Sequence, residues 1–209
     1  MQKVIFFDLD GTLTPQSTWL LLNQKLGITP EEDKQLFDQY LAHTLQYNDW
    51  TKKLFEIHHS RGSITRDEII AFVQTIEVRP DALDTITALK SKEYKLVLIS
   101  GSVDVIVSEM AKRLGIDEWL ACSQLAFDET GILSDIISTG DEADSKLGLA
   151  LNYLSHNALT TDDAIAIGDG GNEWELFKAM KGILLGTNEK LKALAWKQVQ
   201  TLSEIKDII

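Results

Sequence analysis

Apolar residues along this chain follow two rhythms, and the change between them divides it. Val4-Ile5-Phe6-Phe7, Lys95-Leu96-Val97-Leu98-Ile99 and Ala164-Ile165-Ala166-Ile167 are short runs with little polar alternation. Such runs predict strands covered on both faces, as in a parallel sheet. Ile183-Leu184-Leu185 reads the same way, and residues 120–127 and 132–138 read as shorter strands joined by a turn at Glu129-Thr130-Gly131. Between the strands the spacing is helical: over 80–92, over 103–114 with Gly115 as terminator, over 145–154, over 173 to about 180, and again at the C-terminus.

Residues 14–79 depart from this alternation. Ser17 caps a helix running to Leu26, which Gly27 ends, and Thr29-Pro30-Glu31-Glu32 supplies an N-cap, a proline at the first helical position and a capping-box glutamate. A helix over 49–59 follows, and Thr65-Arg66-Asp67-Glu68 is a second capping box ahead of a helix over 69–76. No strand is needed before Pro80. Alternating strands and helices with buried strands predict an α/β fold, a doubly wound, Rossmann-like parallel sheet. The block at 14–79 predicts a small α-helical cap domain inserted after the first strand, with 1–13 and 80–209 forming the core.

Charge narrows the partners. The 209 residues carry 20 basic and 32 acidic side chains, a net charge of −12, and no Lys/Arg run breaks the pattern. Long-range electrostatics therefore repel a polyanion, and nucleic acid is not expected as a partner. A single cysteine, Cys122, cannot form an internal disulfide. The apolar run behind Lys3 stops at Asp8, too short for a signal-peptide core, and nothing approaches the ~20 apolar residues of a membrane helix. The expectation is a cytoplasmic protein with no membrane partner.

Three of the buried strands run into polar, Gly-containing loops: Asp8-Leu9-Asp10-Gly11-Thr12, Ser100-Gly101-Ser102 and Gly168-Asp169-Gly170-Gly171-Asn172. In an open parallel sheet such loops converge beyond the carboxyl ends of the strands, where ligands bind. Asp8, Asp10 and Asp169 bring hard oxygen donors that repel one another unless a cation sits among them, and octahedral oxygen coordination suits Mg²⁺. Ser100 offers a hydroxyl, and the amides of Gly101 and Ser102 are expected to open the next helix as an anion site. Singly, each loop reads as a turn or a helix cap. Their joint occurrence, in order and each after an apolar strand, points to phosphate chemistry.

Together these segments resemble the haloacid dehalogenase superfamily. Asp8-Leu9-Asp10-Gly11-Thr12-Leu13 resembles its first motif in the phosphatase form, Ser100 after Val97-Leu98-Ile99 its second, and Lys146, 23 positions before Asp169, its third. Gly168-Asp169-Gly170-Gly171-Asn172-Glu173 resembles the fourth, in the version of the phosphoserine phosphatase-like subgroup, and the helical block lies where that subgroup has its type-1 cap. The resemblance implies a Mg²⁺-dependent phosphatase acting on a small phosphorylated metabolite. Asp8 would be the nucleophile forming an aspartyl-phosphate and Asp10 the general acid and base. Mg²⁺ would be held by the Asp8 carboxylate, the Asp10 backbone carbonyl and the Asp169 carboxylate. Thr12, Ser100 and the Gly101 amide would position the phosphoryl group, Lys146 would balance its charge, and Asn172 and Glu173 would stand just behind the metal ligands. The family commonly has Asp where this chain has Glu173.

The leaving group is less marked. Phosphoserine phosphatases use an acidic cap residue about nine positions beyond the nucleophile, where this chain has Ser17, and their cap arginine has no clear counterpart, Lys52 and Lys53 being the nearest cations. The aromatic residues and histidines of the cap, Trp19, Tyr40, His43, Tyr47, Trp50, Phe55, His58 and His59, are expected mostly in its core. Trp19, just after the catalytic loop, is the one placed to line a pocket for an apolar or cationic leaving group. Phosphoserine phosphatase proper, a phosphotransferase or mutase of the same superfamily, and a non-catalytic binding module remain as alternatives.

Overall fold

The structure, a computed structural model, describes residues 4–42, 44–138 and 142–209, with backbone only at 41 and 142–144. His43 lies outside the described residues. Seven strands form one sheet: β1 (Val4–Phe7), β2 (Lys95–Val103), β3 (Glu118–Phe127), β4 (Leu133–Ser138), β5 (Ala164–Gly168), β6 (Lys181–Leu185) and β7 (Lys197–Val199). Their order is β4-β3-β2-β1-β5-β6-β7, parallel throughout except for β4, which pairs antiparallel with β3. The helices are α1 (Thr18–Lys25), α2 (Pro30–Leu41), α3 (Tyr47–Arg61), α4 (Arg66–Val73), α5 (Ala82–Ser91), α6 (Asp104–Leu114), α7 (Glu142–His156), α8 (Trp174–Ala179), α9 (Glu189–Lys192) and α10 (Ile205–Ile208).

The unbroken apolar runs are explained by two cores. Ile5, Phe7, Leu96, Leu98, Ile165 and Ile167 enter one, with residues of α5, α6 and α10. Val4, Phe6, Val97, Ile99, Ala164 and Ala166 enter the other, with residues of α7, α8 and α9. Alternate side chains of each central strand thus face opposite helical layers, and each large apolar side chain so buried stabilises the fold by about 1.5–3 kcal/mol. Strand β7, read as helical from its sequence, is a correction. Lys197-Gln198-Val199 is too short and polar to show a strand period, and it forms because β6 offers it an edge, with Leu185 opposite Val199.

Register sets the position of the loops. Phe7 lies between Leu98 on one side and Ile167 on the other, so the residues that follow these three emerge at one edge of the sheet. Strand order reverses here, β2 and β3 extending to one side of β1 and β5 to β7 to the other, which opens the crevice where ligands bind in such sheets.

Between β1 and β2 only helices occur among the described residues. Ser17 accepts a hydrogen bond from the Leu20 amide, and Thr29–Glu32 and Thr65–Glu68 form the two reciprocal capping boxes. Arg61 at the end of α3 pairs with both Glu32 carboxylate oxygens and donates to the Gly27 carbonyl at 2.6 Å, fixing α3 against the start of α2. Helix α3 packs against β4 and α4 against α6. No helix among the described residues is long and apolar enough to cross a membrane.

Candidate active site

The loop after β1 folds back on itself: the amides of Thr12, Leu13 and Thr14 all donate to the Leu9 carbonyl. This turn requires Gly11 at φ +80°, a left-handed conformation that costs glycine little. A side chain is excluded there for a second reason. A Cβ on Gly11 would lie 2.3 Å from Asp169 Oδ2. The loops after β1 and β5 therefore touch through a glycine, and Arg79 supports the contact from outside by donating to the Gly11 carbonyl at 2.7 Å.

Around this point the predicted residues gather. Asp8 is buried at the end of β1, and Lys146 of α7, fully buried, donates to Asp8 Oδ1 at 2.6 Å. Thr12 Oγ1 lies 3.3 Å from Asp8 Oδ2 and 3.1 Å from Asp169 Oδ1, its one proton serving one carboxylate at a time. Carboxylate oxygens of Asp8, Asp169 and Glu173 lie within 4.8 Å of one another. Burial first, and then the negative charge of Asp8, push the Asp169 carboxyl up to about 6, against the opposing pull of Thr12 and Lys146. Like charges this close, with Lys146 as the one lysine among them in the described residues, form a site that a divalent cation would relieve.

Glu173 sits differently from its neighbours. Its Oε1 accepts from Lys146 Nζ at 2.6 Å, and its Oε2 from the Gly170 amide at 3.1 Å. The side chain lies flat over Gly168, where a Cβ would meet Glu173 Cγ at 2.4 Å. The longer acid at this position thus closes the loop after β5 and holds the lysine.

The Asp10 carboxylate turns away from that cluster: Oδ1 accepts from the Thr18 amide at 3.0 Å. Thr18, fully buried, also donates its hydroxyl to Ser102 Oγ at 2.8 Å, and Trp19 Nε1 donates to the Gly101 carbonyl at 3.1 Å. The first turn of α1 therefore ties the loop after β1 to the end of β2. Sequence reading missed Thr18 and Arg79, whose bonds join residues far apart in the chain and leave no local pattern.

One expectation is corrected here. Gly101 and Ser102 do not open a helix. Strand β2 runs on to Val103, with its register against β3 shifting between Ser100 and Val103, and α6 begins at Asp104. The bulge adds residues to the strand before the chain turns. The Ser102 amide is taken by Ser100 Oγ at 3.0 Å, and Ser100 is buried.

Next to Asp10 is a cavity of about 310 Å³ that Asn172 also lines. Its walls are aromatic: Trp19, Phe37, Tyr40, Tyr47 and Trp50. Trp19 thus stands where its sequence position suggested, whereas Tyr40, Tyr47 and Trp50, expected simply in the core of the helical block, are shared between that core and the cavity wall. Trp50 is the hub, with ring centroids 5.2 Å from Trp19 and 5.3 Å from Tyr47. His58 is buried away from the cavity, its Nδ1 2.9 Å from the Leu26 carbonyl oxygen, and His59 is exposed.

A family model for haloacid dehalogenase-like hydrolases matches residues 5–172. A phosphoserine phosphatase of Methanocaldococcus jannaschii is 24% identical over 181 residues, covering 85% of this chain and 82% of that protein. A 2-hydroxy-3-keto-5-methylthiopentenyl-1-phosphate phosphatase of Microcystis aeruginosa is 25% identical over 170 residues, covering 81% and 77%. Among solved structures, a phospho-aspartyl intermediate analogue of phosphoserine phosphatase superposes with a TM-score of 0.79 at 24% identity, covering 100% of this chain and 99% of that one. The fold is that of these enzymes, and the chain belongs to the haloacid dehalogenase-like hydrolase family.

Proposed function

We propose that this chain is a Mg²⁺-dependent phosphatase that hydrolyses a small phosphomonoester through an aspartyl-phosphate on Asp8. What carries this reading is the meeting of Asp8, Asp169 and Lys146 at the carboxyl edge of the sheet, with Lys146 Nζ 2.6 Å from Asp8 Oδ1.

In this reading a carboxylate oxygen of Asp8 attacks phosphorus and the bond from phosphorus to the ester oxygen breaks. Asp10, held by the Thr18 amide beside the cavity that would take the alcohol, gives its proton to the departing oxygen. Water then attacks the phosphoryl group, Asp10 takes a proton from it, and phosphate leaves as the Asp8 carboxylate is restored. Lys146 shields charge on Asp8, and Thr12, Ser100 and the Gly101 amide position the phosphoryl oxygens. The hard carboxylate oxygens of Asp8 and Asp169, crowded enough to raise the Asp169 pKa, fit Mg²⁺, with the Asp10 backbone carbonyl as a further ligand. Bound there, the ion would neutralise the charge between nucleophile and phosphate. Asn172 and Glu173 stand behind these groups.

Residues 14–79 serve as a cap domain over a core of 1–13 and 80–209, excluding water while Asp8 is phosphorylated. Cys122, buried and in no disulfide, is compatible with a cytoplasmic setting. Phosphoserine finds less support than another phosphomonoester. Among the described residues lining the cavity no Lys, Arg or His stands ready for its carboxylate.

Phosphate release from an aryl phosphate, with and without Mg²⁺, tests the reading in the native protein and in Asp8→Asn. Mg²⁺-dependent turnover that vanishes in the variant supports it. Turnover that survives Asp8→Asn overturns it.

A further inference from the structure

The cavity beside Asp10 is specific in a way the phosphate site is not. Trp50 is approached by Trp19 and Tyr47 at 5.2 and 5.3 Å and by Phe37 and Tyr40 at 6.2 and 6.3 Å between ring centroids. Formal charge on the described lining residues is only negative, from Asp10 and Asp33. Asn23, another lining residue and 1% exposed, donates through Nδ2 to Asp33 Oδ1 at 2.6 Å, while its Oδ1 has no hydrogen-bond partner among the described residues. That acceptor is buried and unsatisfied, a strained polar group in the wall on the Asp33 side of the cavity. Burial pushes the Asp33 carboxyl up, and only the Asn23 amide opposes this. A cation next to Asp33 would favour its ionised form.

Aromatic faces carry partial negative charge, and a box of them recognises a cation without needing its N–H groups. An ammonium with three protons would seek three acceptors, whereas an alkylated one presents methyl groups to ring faces. Resting on the phosphatase reading, we propose that the leaving group is an alcohol bearing an alkylated ammonium, held by Trp19, Tyr40, Tyr47 and Trp50 with the Asp33 carboxylate, while Asp10 protonates its oxygen. The net reaction is ester hydrolysis, with the ammonium unchanged and the proton returned to Asp10 from the attacking water.

Charge is isolated from shape by comparing choline with its neutral carbon isostere, 3,3-dimethylbutanol. Calorimetry on the Asp8→Asn protein should find choline bound at least about tenfold more tightly. In the native enzyme kcat/KM for choline phosphate should exceed that for 3,3-dimethylbutyl phosphate by at least about tenfold, and Asp33→Asn should bring this ratio towards one. Equal or better binding and turnover of the isostere overturns the inference in favour of an apolar leaving group, and leaves the phosphatase reading intact if an aryl phosphate is hydrolysed. Selective choline binding without phosphate release from any ester upholds the cation site and overturns the phosphatase reading.

Discussion

Lys146 Nζ lies as close to Glu173 Oε1 as to Asp8 Oδ1, 2.6 Å in each case, so one buried ammonium is shared between the proposed nucleophile and the last acid of the loop after β5. Where a shorter Asp is common in the family, this chain has a Glu that reaches the lysine and, through its other oxygen, the Gly170 amide. The substitution reads as a support for the lysine, and the support is testable.

Glu173→Ala would take one carboxylate partner from a fully buried lysine and leave the Gly170 amide without its acceptor. Removing one partner of such a buried pair should destabilise the protein by about 3 kcal/mol, measured by urea unfolding. Glu173→Gln, which keeps an acceptor, should cost less. A loss of under about 0.5 kcal/mol for the alanine variant would show that Lys146 does not depend on this contact.

Gly11→Ala should do more than strain a turn. Its φ of +80° costs an alanine about 1–2 kcal/mol, and its Cβ would also meet Asp169 Oδ2 at 2.3 Å. Displacing Asp169 by even 1 Å should lower kcat/KM by about 100-fold. Gly131→Ala is the control: its φ is +82° with nothing within 4 Å of a Cβ, so it should lose stability and keep its turnover. Similar turnover in both variants would detach Asp169 from catalysis.

Mg²⁺ at 100 times its dissociation constant should stabilise the native protein by about 2.7 kcal/mol over the chelator-treated form. Asp169→Asn should abolish most of that difference, because it removes one of the two carboxylates proposed to hold the ion. Thermal unfolding with Mg²⁺ and with chelator reads both. An equal response of native and variant proteins would place the ion elsewhere.

Acid should loosen the helical block at a defined point. The Arg61 guanidinium, with the Thr29 amide, holds the Glu32 carboxyl down from 4.5 to about 2. A depressed folded pKa stabilises fully above the unfolded value and is lost as the pH falls through the folded one. The difference in Tm between native protein and Glu32→Gln should therefore be constant above about pH 5 and close between 4.5 and 2. A difference that persists at pH 2 would rule out the ion pair as its source.

Sequence alone determined what depends on neighbours along the chain. Apolar runs such as Val4–Phe7 and Ala164–Gly168 are strands because both their faces are covered, and Thr29 and Glu32 begin a helix because their reciprocal bonds span only three residues. Asp8, Lys146 and Asp169 were legible because their order and spacing resemble a family's motifs. Tertiary structure decided what depends on approach between distant segments. Only the folded chain sets Glu173 on Lys146, Thr18 between Asp10 and Ser102, Gly11 against Asp169, and three-residue β7 on the edge offered by β6. It also turned Tyr40, Tyr47 and Trp50 from an expected core into a cavity wall. Helical periodicity reports that a side chain is covered, and does not report whether a neighbouring side chain or an open space stands across from it.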